Sequence, residues 1–297
     1  MTTTANGTSG TRGSTGVTGG AGTAGAAGTA GATGTAGGGA GRGTTTAAGR
    51  LASLGRAELT LLIRNRTALF VALLLPALGV VGLSSSLEQI DLGKAGMSVA
   101  EAAMTSGIGM VLILVVHLNL VSAYVARREE LVLKRLRTGE VADREILAGT
   151  ALPAVGLAFA QCAVLVAGGV VLLDLDAPAR PDLLIAGVAV GVVLMAALAA
   201  VTAAFTRTVE SAQITTMPMF LVSVAGSGLF FPVELMPEKM ASICELLPLT
   251  GVMTLVRAGW LGGAESGELT GAALTALVWV ALSVFAVQRW FRWEPRR

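Results

Sequence analysis

The chain has 297 residues, of which 53% are hydrophobic and only 13% are charged, a composition too apolar for a soluble domain and typical of a membrane protein. The formal net charge of +2 is too small to indicate a nucleic-acid-binding protein. The two cysteines, Cys162 and Cys244, are far apart in the sequence, so they indicate neither a disulfide framework nor a zinc site.

The first 49 residues consist almost wholly of Gly, Thr, Ala and Ser, and they include no aromatic residue. Such a segment cannot bury enough apolar surface to offset its ordering entropy, so residues 1–49 are predicted to be a disordered, solubilising cytoplasmic tail. They lack the basic start and apolar stretch of a secretory signal. Residues 50–297 are predicted to form the membrane domain.

Residues 50–67 combine Leu and Ile residues with arginines at steps of three and four. This spacing predicts a cytoplasmic amphipathic entry helix that lies flat on the anionic leaflet. The alternative is the solvated start of a longer first helix.

Six stretches have the length, about 20 residues, and the apolarity needed to cross the hydrocarbon core as helices. They are residues 67–86, 105–126, 149–173, 183–205, 212–231 and 271–289. Within the fourth, Gly187 and Gly191 form a small-xxx-small step, which predicts a helix-packing face. Lys and Arg residues concentrate before the first stretch, in the second loop and at the C-terminus, so that loop and both termini are predicted to be cytoplasmic. The predicted fold class is an all-α, multi-pass integral protein of the cell membrane with six transmembrane helices.

Residues 240–260 are also long and apolar, but Glu245, Pro248 and Arg257 interrupt them. A seventh crossing would move the basic C-terminus outside the cell, against the distribution of positive charge. Residues 232–268 are therefore predicted to be an external loop, with short re-entrant helices between the fifth and sixth spans.

Motifs for catalysis are absent, since the chain has no G-x-x-x-x-G-K-[ST] phosphate loop, no HExxH and no G-x-S-x-G serine elbow. The chain is therefore predicted not to be an enzyme and to hold no catalytic or metal-binding residues. The span interiors contain essentially no acidic or basic residue, which argues against an ion-coupled secondary carrier. The energy for transport is expected to come from another polypeptide.

Four polar residues interrupt the second span, namely His117, Asn119, Ser122 and Tyr124. An ionisable group inside a membrane span indicates a functional site by default, so these residues are candidates for a translocation path. A neutral imidazole hydrogen-bonded between helices would explain His117 equally well.

The densest run of charge, REELVLKRLRTGE at residues 128–140, has the pattern of a short amphipathic helix that ends at Gly139. Leucines alternate with charges of both signs, which suits docking on a partner protein. Basic flanking that only orients the neighbouring spans is the alternative interpretation.

Two stretches carry a resemblance to one family. The sequence ARREELVLKRLRTGEVADREIL, after the second span, resembles the cytoplasmic coupling segment of ABC type-2 transporter permeases, which include drug-resistance exporters of the daunorubicin-resistance kind. The sequence GLFFPVELMPEKMASICELLPLTGVMTLVRA, at residues 228–258, is similar to the external re-entrant stretch of that family. With the six spans and the entry helix, the resemblance covers residues 50–297.

The resemblance implies a half-transporter, in which a dimer of permease subunits works with two separate ATPase subunits that bind ATP and Mg²⁺. The exported substrate would be small and hydrophobic or amphiphilic, while this chain would bind no cofactor and no nucleic acid. The family's coupling helix maps to Arg128, Glu129, Glu130, Leu131, Leu133, Lys134, Arg135, Leu136 and Arg137. Its external re-entrant segment maps to Phe231, Pro232, Glu234, Pro237, Glu245 and Pro248. A non-transporting membrane anchor or assembly protein is the main alternative, ahead of a secondary carrier.

Overall fold

The computed structural model describes residue 82, residue 92 and residues 96–130, 143–229 and 233–291, and these residues form helices and no strand. All of them belong to one compact unit, Thr45–Arg297. The predictions for the tail, the entry helix and the first span fall almost wholly outside the described residues.

Seven α-helices make up most of the described chain. They are α1 (Val99–Glu129), α2 (Asp143–Leu172), α3 (Pro181–Phe205), α4 (Val209–Gly226), α5 (Glu238–Glu245), α6 (Pro248–Leu261) and α7 (Ser266–Trp290). A 3-10 turn, Val233–Leu235, precedes α5. The middle of α1, Leu112–Leu118, is a π-helix.

Four of these helices, α1, α2, α3 and α7, are long and apolar enough to cross a membrane. They correspond to the second, third, fourth and sixth predicted spans, and each begins earlier than its apolar stretch. The reason is that polar residues form the first turn, as at α1, where the side chains of Ser98 and Glu101 form a reciprocal capping box.

The fifth predicted span, 212–231, corresponds to α4, which ends at Gly226 and is not among the four helices that are apolar enough to cross a membrane. Its apolarity is lowered by several polar residues, including Gln213 and Thr216. Gly228 has a φ of +74°, which turns the chain away after the helix. By length and composition, the described residues therefore hold four candidate spans, or five if the bent pair α5 and α6 is counted as one span.

Helices α5 and α6 meet at a bend of 95°. Pro248 is the first residue of α6, where its missing N–H costs no intrahelical hydrogen bond. This bent pair lies in the segment predicted to form short re-entrant helices.

Helix α1 forms the centre of the bundle, because 67% of its most apolar 18-residue stretch is buried. In α7 only 11% of the corresponding stretch is buried. Helix α3 packs between α1 and α6. A Cβ atom at Gly191 would lie 2.6 Å from Leu112 Cδ1 of α1 and 2.8 Å from Val252 of α6, and one at Gly187 would lie 3.2 Å from Val256. The predicted packing face of Gly187 and Gly191 is therefore confirmed.

Candidate functional site

The π-helical part of α1 holds the only histidine of the chain, His117, which is completely buried. Single π-helical turns within α-helices are rare and occur frequently at functional sites. The backbone of Met195 on α3 is close enough to interact with the imidazole, but neither ring nitrogen has a hydrogen-bond partner of normal geometry among the described residues. His117 is therefore enclosed where α1 faces α3, and it does not line an open path.

The other three polar residues predicted for a translocation path differ in their exposure. Asn119 is exposed, Ser122 is half-buried, and Tyr124 is buried. The Tyr124 hydroxyl donates to the carbonyl oxygen of Leu147 on α2 at 3.2 Å. The structure thus does not bring the four residues together, and none of them lines either cavity described below.

The C-terminal end of α1 carries the first residues of the predicted coupling helix. Arg128 and Glu129 complete the last turn of α1, and Glu130 follows it, so a separate helix does not begin at Arg128. Glu129 and Glu130 are exposed, whereas Arg128 is only 1% exposed. The remaining residues assigned to that helix lie outside the described part of the chain, namely Leu131, Leu133, Lys134, Arg135, Leu136 and Arg137.

Arg128 is buried because its guanidinium group binds the C-terminal end of α3. Its Nη1 donates to the Ala203 carbonyl at 2.9 Å, and its Nη2 donates to the Thr206 carbonyl at 2.5 Å and approaches the Arg207 carbonyl at 3.4 Å. The last carbonyls of a helix have no intrahelical donor and lie at the negative end of its dipole, so a cation is favourable there.

A cavity of about 550 Å³ lies among the end of α4, the segment from Val233 to α5, α6 and the start of α7. This volume is within the range of pockets that bind small molecules. Its lining combines apolar side chains such as Met253 with the hydroxyls of Thr250, Thr254 and Thr275. Such a mixture suits a ligand with both apolar and polar parts.

The charged groups of this cavity are mainly acidic. Glu238, Glu245 and Glu268 line it together with Arg257, which is buried. The Arg257 Nη2 donates to the Gly228 carbonyl just beyond the end of α4. A second cavity, of about 180 Å³, shares Arg257 and Glu268 with the first.

Two hydrogen bonds stabilise the bend between α5 and α6 beside the cavity. The Thr250 Oγ1 donates to the Cys244 carbonyl at 2.6 Å, and the indole Nε1 of Trp279 on α7 donates to the Leu246 carbonyl at 2.8 Å. Both acceptors lie at the break, where helical carbonyls lack their usual partners. The wall of the cavity is thus anchored to α7.

The residues predicted for the external segment lie at the boundaries of these short helices. Pro237 precedes α5, Glu245 ends it and lines the cavity, and Pro248 begins α6 and is buried. The backbone of Glu234 lies in the 3-10 turn. Phe231 and Pro232 lie outside the described residues.

Sequence reasoning missed Thr250, Thr254 and Glu268 as cavity residues, and it treated Arg257 only as an interruption. A usable signal was present, because Thr250, Thr254 and Arg257 recur at i, i+4 and i+7 in an apolar segment and so lie on one face of a helix. Glu268 gave no such signal, since it belongs to another helix.

Within the described ranges, no group of His, Cys, Asp and Glu side chains is placed to hold a metal ion. Cys162 and Cys244 are free and buried. Comparison with known proteins adds one finding: a family model described as ABC-2 type transporter matches residues 50–261. No curated protein matches the chain.

Proposed function

This chain belongs to the ABC-2 type transporter family and is a permease subunit of an ABC transporter, and from this premise we propose that it exports a hydrophobic or amphiphilic substrate together with a separate ATPase subunit. The observation that carries the proposal is the extent of the family match. Residues 50–261 include both the charged run 128–140 and the external segment 228–258. The substrate class proposed is a drug, an antibiotic or a lipid-like molecule.

The distribution of charge supports an energy source outside this chain. In the described helices, every carboxylate lies in the first or last turn, as Glu101 does in α1, Asp182 in α3 and Glu268 in α7. Ion-coupled carriers usually place carboxylates near the middle of the membrane to bind the driving ion. A partner ATPase that binds ATP and Mg²⁺ fits this distribution better.

We propose further that the chain crosses the membrane six times and that α5 and α6 form a re-entrant pair. Helix α6 has 14 residues, so it is about 21 Å long, which is shorter than the roughly 30 Å of the hydrocarbon core. Helix α4 has 18 residues and a length of about 27 Å, close to that thickness. The cavity would then open on the external side, where a substrate leaves.

A dimer of permease subunits is also proposed. Asn119 is exposed on α1, in the middle of a helix that is otherwise largely buried. An amide that faces lipid is costly, because lipid offers no hydrogen-bond partner, whereas a facing helix does. A second copy of the chain would supply such a helix.

The proposed function is tested by the double substitution Leu133→Ser and Leu136→Ser in the charged segment. If these leucines dock in a cleft of the ATPase, each contributes about 1.5–3 kcal/mol, so their joint loss weakens binding about a hundredfold or more. We expect the variant to reach the membrane, to recover much less of the co-expressed ABC ATPase on purification, and to lose permease-dependent ATP hydrolysis in proteoliposomes.

The matched control replaces two leucines at the other end of the bundle. Leu172 and Leu173 are 81% and 50% exposed at the end of α2, so Leu172→Ser combined with Leu173→Ser should leave ATPase recovery unchanged. Undiminished ATPase recovery from the Leu133 and Leu136 variant would reduce the charged segment to an orientation signal and remove the support for this docking surface.

A further inference from the structure

The three-residue connection between α3 and α4 is short and well capped. Thr206 is buried, and its Oγ1 donates to the Thr202 carbonyl at 2.8 Å. Thr208 caps α4 by accepting from the Ser211 amide at 3.2 Å. Because few dihedral angles separate the two helices, a displacement of this connection moves the ends of both α3 and α4.

Arg128 joins this connection to α1. Its guanidinium spans the Ala203, Thr206 and Arg207 carbonyls, which belong to the last turn of α3 and to the connection itself. The planar guanidinium group has several donors in fixed positions, so it holds these acceptors in one geometry. A lysine ammonium group does not hold them in this way.

Arg128 also stands next to the segment proposed to contact the ATPase. It is the first residue of the charged run 128–140 and lies five residues before Leu133, the first of the two leucines for which docking is proposed. On the other side of the segment, Leu147 of α2 accepts a hydrogen bond from Tyr124, one helical turn before Arg128. The chain on both sides of the segment is thus held by hydrogen bonds from one face of α1. Before the segment, Arg128 bonds to α3, and after it, Leu147 accepts from Tyr124.

We propose that Arg128 is a positioning residue that transmits movement of the charged segment to the connection between α3 and α4. This coupling, which rests on the proposed function, changes the conformation of the bundle when the ATPase binds nucleotide. Arg128 makes no contact with substrate in this mechanism. It acts by keeping the end of α1 and the ends of α3 and α4 together as one body.

A purely structural role for Arg128 predicts a different result. If Arg128 only stabilises the end of α3, its replacement lowers stability but leaves the response of the folded protein to nucleotide unchanged. The decisive readout is therefore a nucleotide-dependent change near α4, measured in protein that still binds the ATPase.

The experiment uses the full chain with Cys162→Ala, Cys244→Ala and Glu210→Cys, co-expressed with its ABC ATPase and reconstituted. Glu210 is exposed in the first turn of α4, so the single thiol reports on the connection. The rate of maleimide labelling is compared without nucleotide and with ATP and vanadate. We expect a severalfold change with Arg128, and less than a twofold change with Arg128→Met, at equal ATPase recovery.

Two further variants complete the test. Arg127→Met removes the same charge from the neighbouring position and should keep the full response. Arg128→Lys keeps the charge without the planar guanidinium group and should give a reduced response, and this variant decides the outcome if Arg128→Met fails to accumulate. The inference alone is overturned if the folded Arg128 variants keep the full nucleotide-dependent change in labelling. It is also overturned if the protein that retains Arg128 shows no such change although the ATPase is bound. Failure of the parent to recover the ATPase overturns the proposed function as well.

Discussion

Arg128 and Arg257 are the two buried arginines among the described residues, and both donate to backbone carbonyls near the end of a helix. Burial of a guanidinium group is costly unless its donors are occupied. The unpaired carbonyls of a helix end offer acceptors at the negative end of the dipole. This explains how a chain with so few charged residues in its helices tolerates two internal cations.

His117 presents the opposite case, since its buried ring nitrogens have no hydrogen-bond partner of normal geometry among the described residues. We predict that His117→Leu, which removes the buried polar group at similar volume, leaves the free energy of unfolding unchanged or raises it by about 1–3 kcal/mol. Thermal unfolding of the purified protein in detergent measures the effect. As a control, Asp176→Asn at an exposed position outside the helices should change stability by less than about 0.5 kcal/mol. A clear loss of stability in His117→Leu would show that the imidazole makes a hydrogen bond that stabilises the fold.

At the scale of the elements, close contacts at glycines set the distances of α6 from its neighbours. A Cβ atom at Gly259 would lie 2.5 Å from the Leu184 amide nitrogen of α3, and one at Gly251 would lie 2.4 Å from the Ala272 carbonyl oxygen of α7. Both obstacles are backbone atoms, which cannot move aside as a flexible side chain does. Helix α6 thus fits between α3 and α7 because Gly251 and Gly259 have no side chains.

The substitution Gly251→Ala is therefore predicted to push α6 and α7 apart. Overpacking of this kind costs about 1–3 kcal/mol, so the midpoint of thermal unfolding should fall. The matched control is Gly271→Ala on α7, next to Ala272, where a Cβ atom meets nothing within 4 Å. Because alanine favours helix over glycine, the control should be neutral or stabilising by up to about 1 kcal/mol. Equal stability of the two variants would contradict the close contact.

At the scale of the whole molecule, the number of spans depends on α4 and on the pair α5 and α6. If α4 crosses the membrane, the break between α5 and α6 lies on the external half. If α4 does not cross and the bent pair does, α5 begins on the cytoplasmic side. The two arrangements place Ser242, an exposed residue of α5, on opposite sides.

We predict that Ser242→Cys, in a chain with Cys162→Ala and Cys244→Ala, is labelled by an impermeant thiol reagent added to intact cells. Ser242 is chosen because Cys244 itself is only 8% exposed. Glu130→Cys in the same background provides the internal reference, since it is exposed at the predicted cytoplasmic end of α1 and should react only after permeabilisation. Labelling of Ser242→Cys only after permeabilisation would replace the six-span arrangement with one in which α5 and α6 form a span.

The sequence by itself determined that the chain is a helical membrane protein. Apolar runs of this length are visible directly in the sequence, and in lipid a single run satisfies its backbone hydrogen bonds by forming a helix. It also determined the packing face at Gly187 and Gly191, since the four-residue step is local to one helix. The family resemblance rested on contiguous stretches and was confirmed by the match over residues 50–261.

Only the tertiary structure decided the features that depend on which helices are neighbours. The stripe of Val121, Tyr124, Val125 and Arg128 follows the helical repeat, yet nothing within α1 shows that the carbonyls of α3 are there to accept from Arg128. The cavity likewise joins Thr250 and Glu268 from two helices. Burial of a charge and enclosure of a volume are properties of an assembly of elements, so a single-element pattern does not contain them.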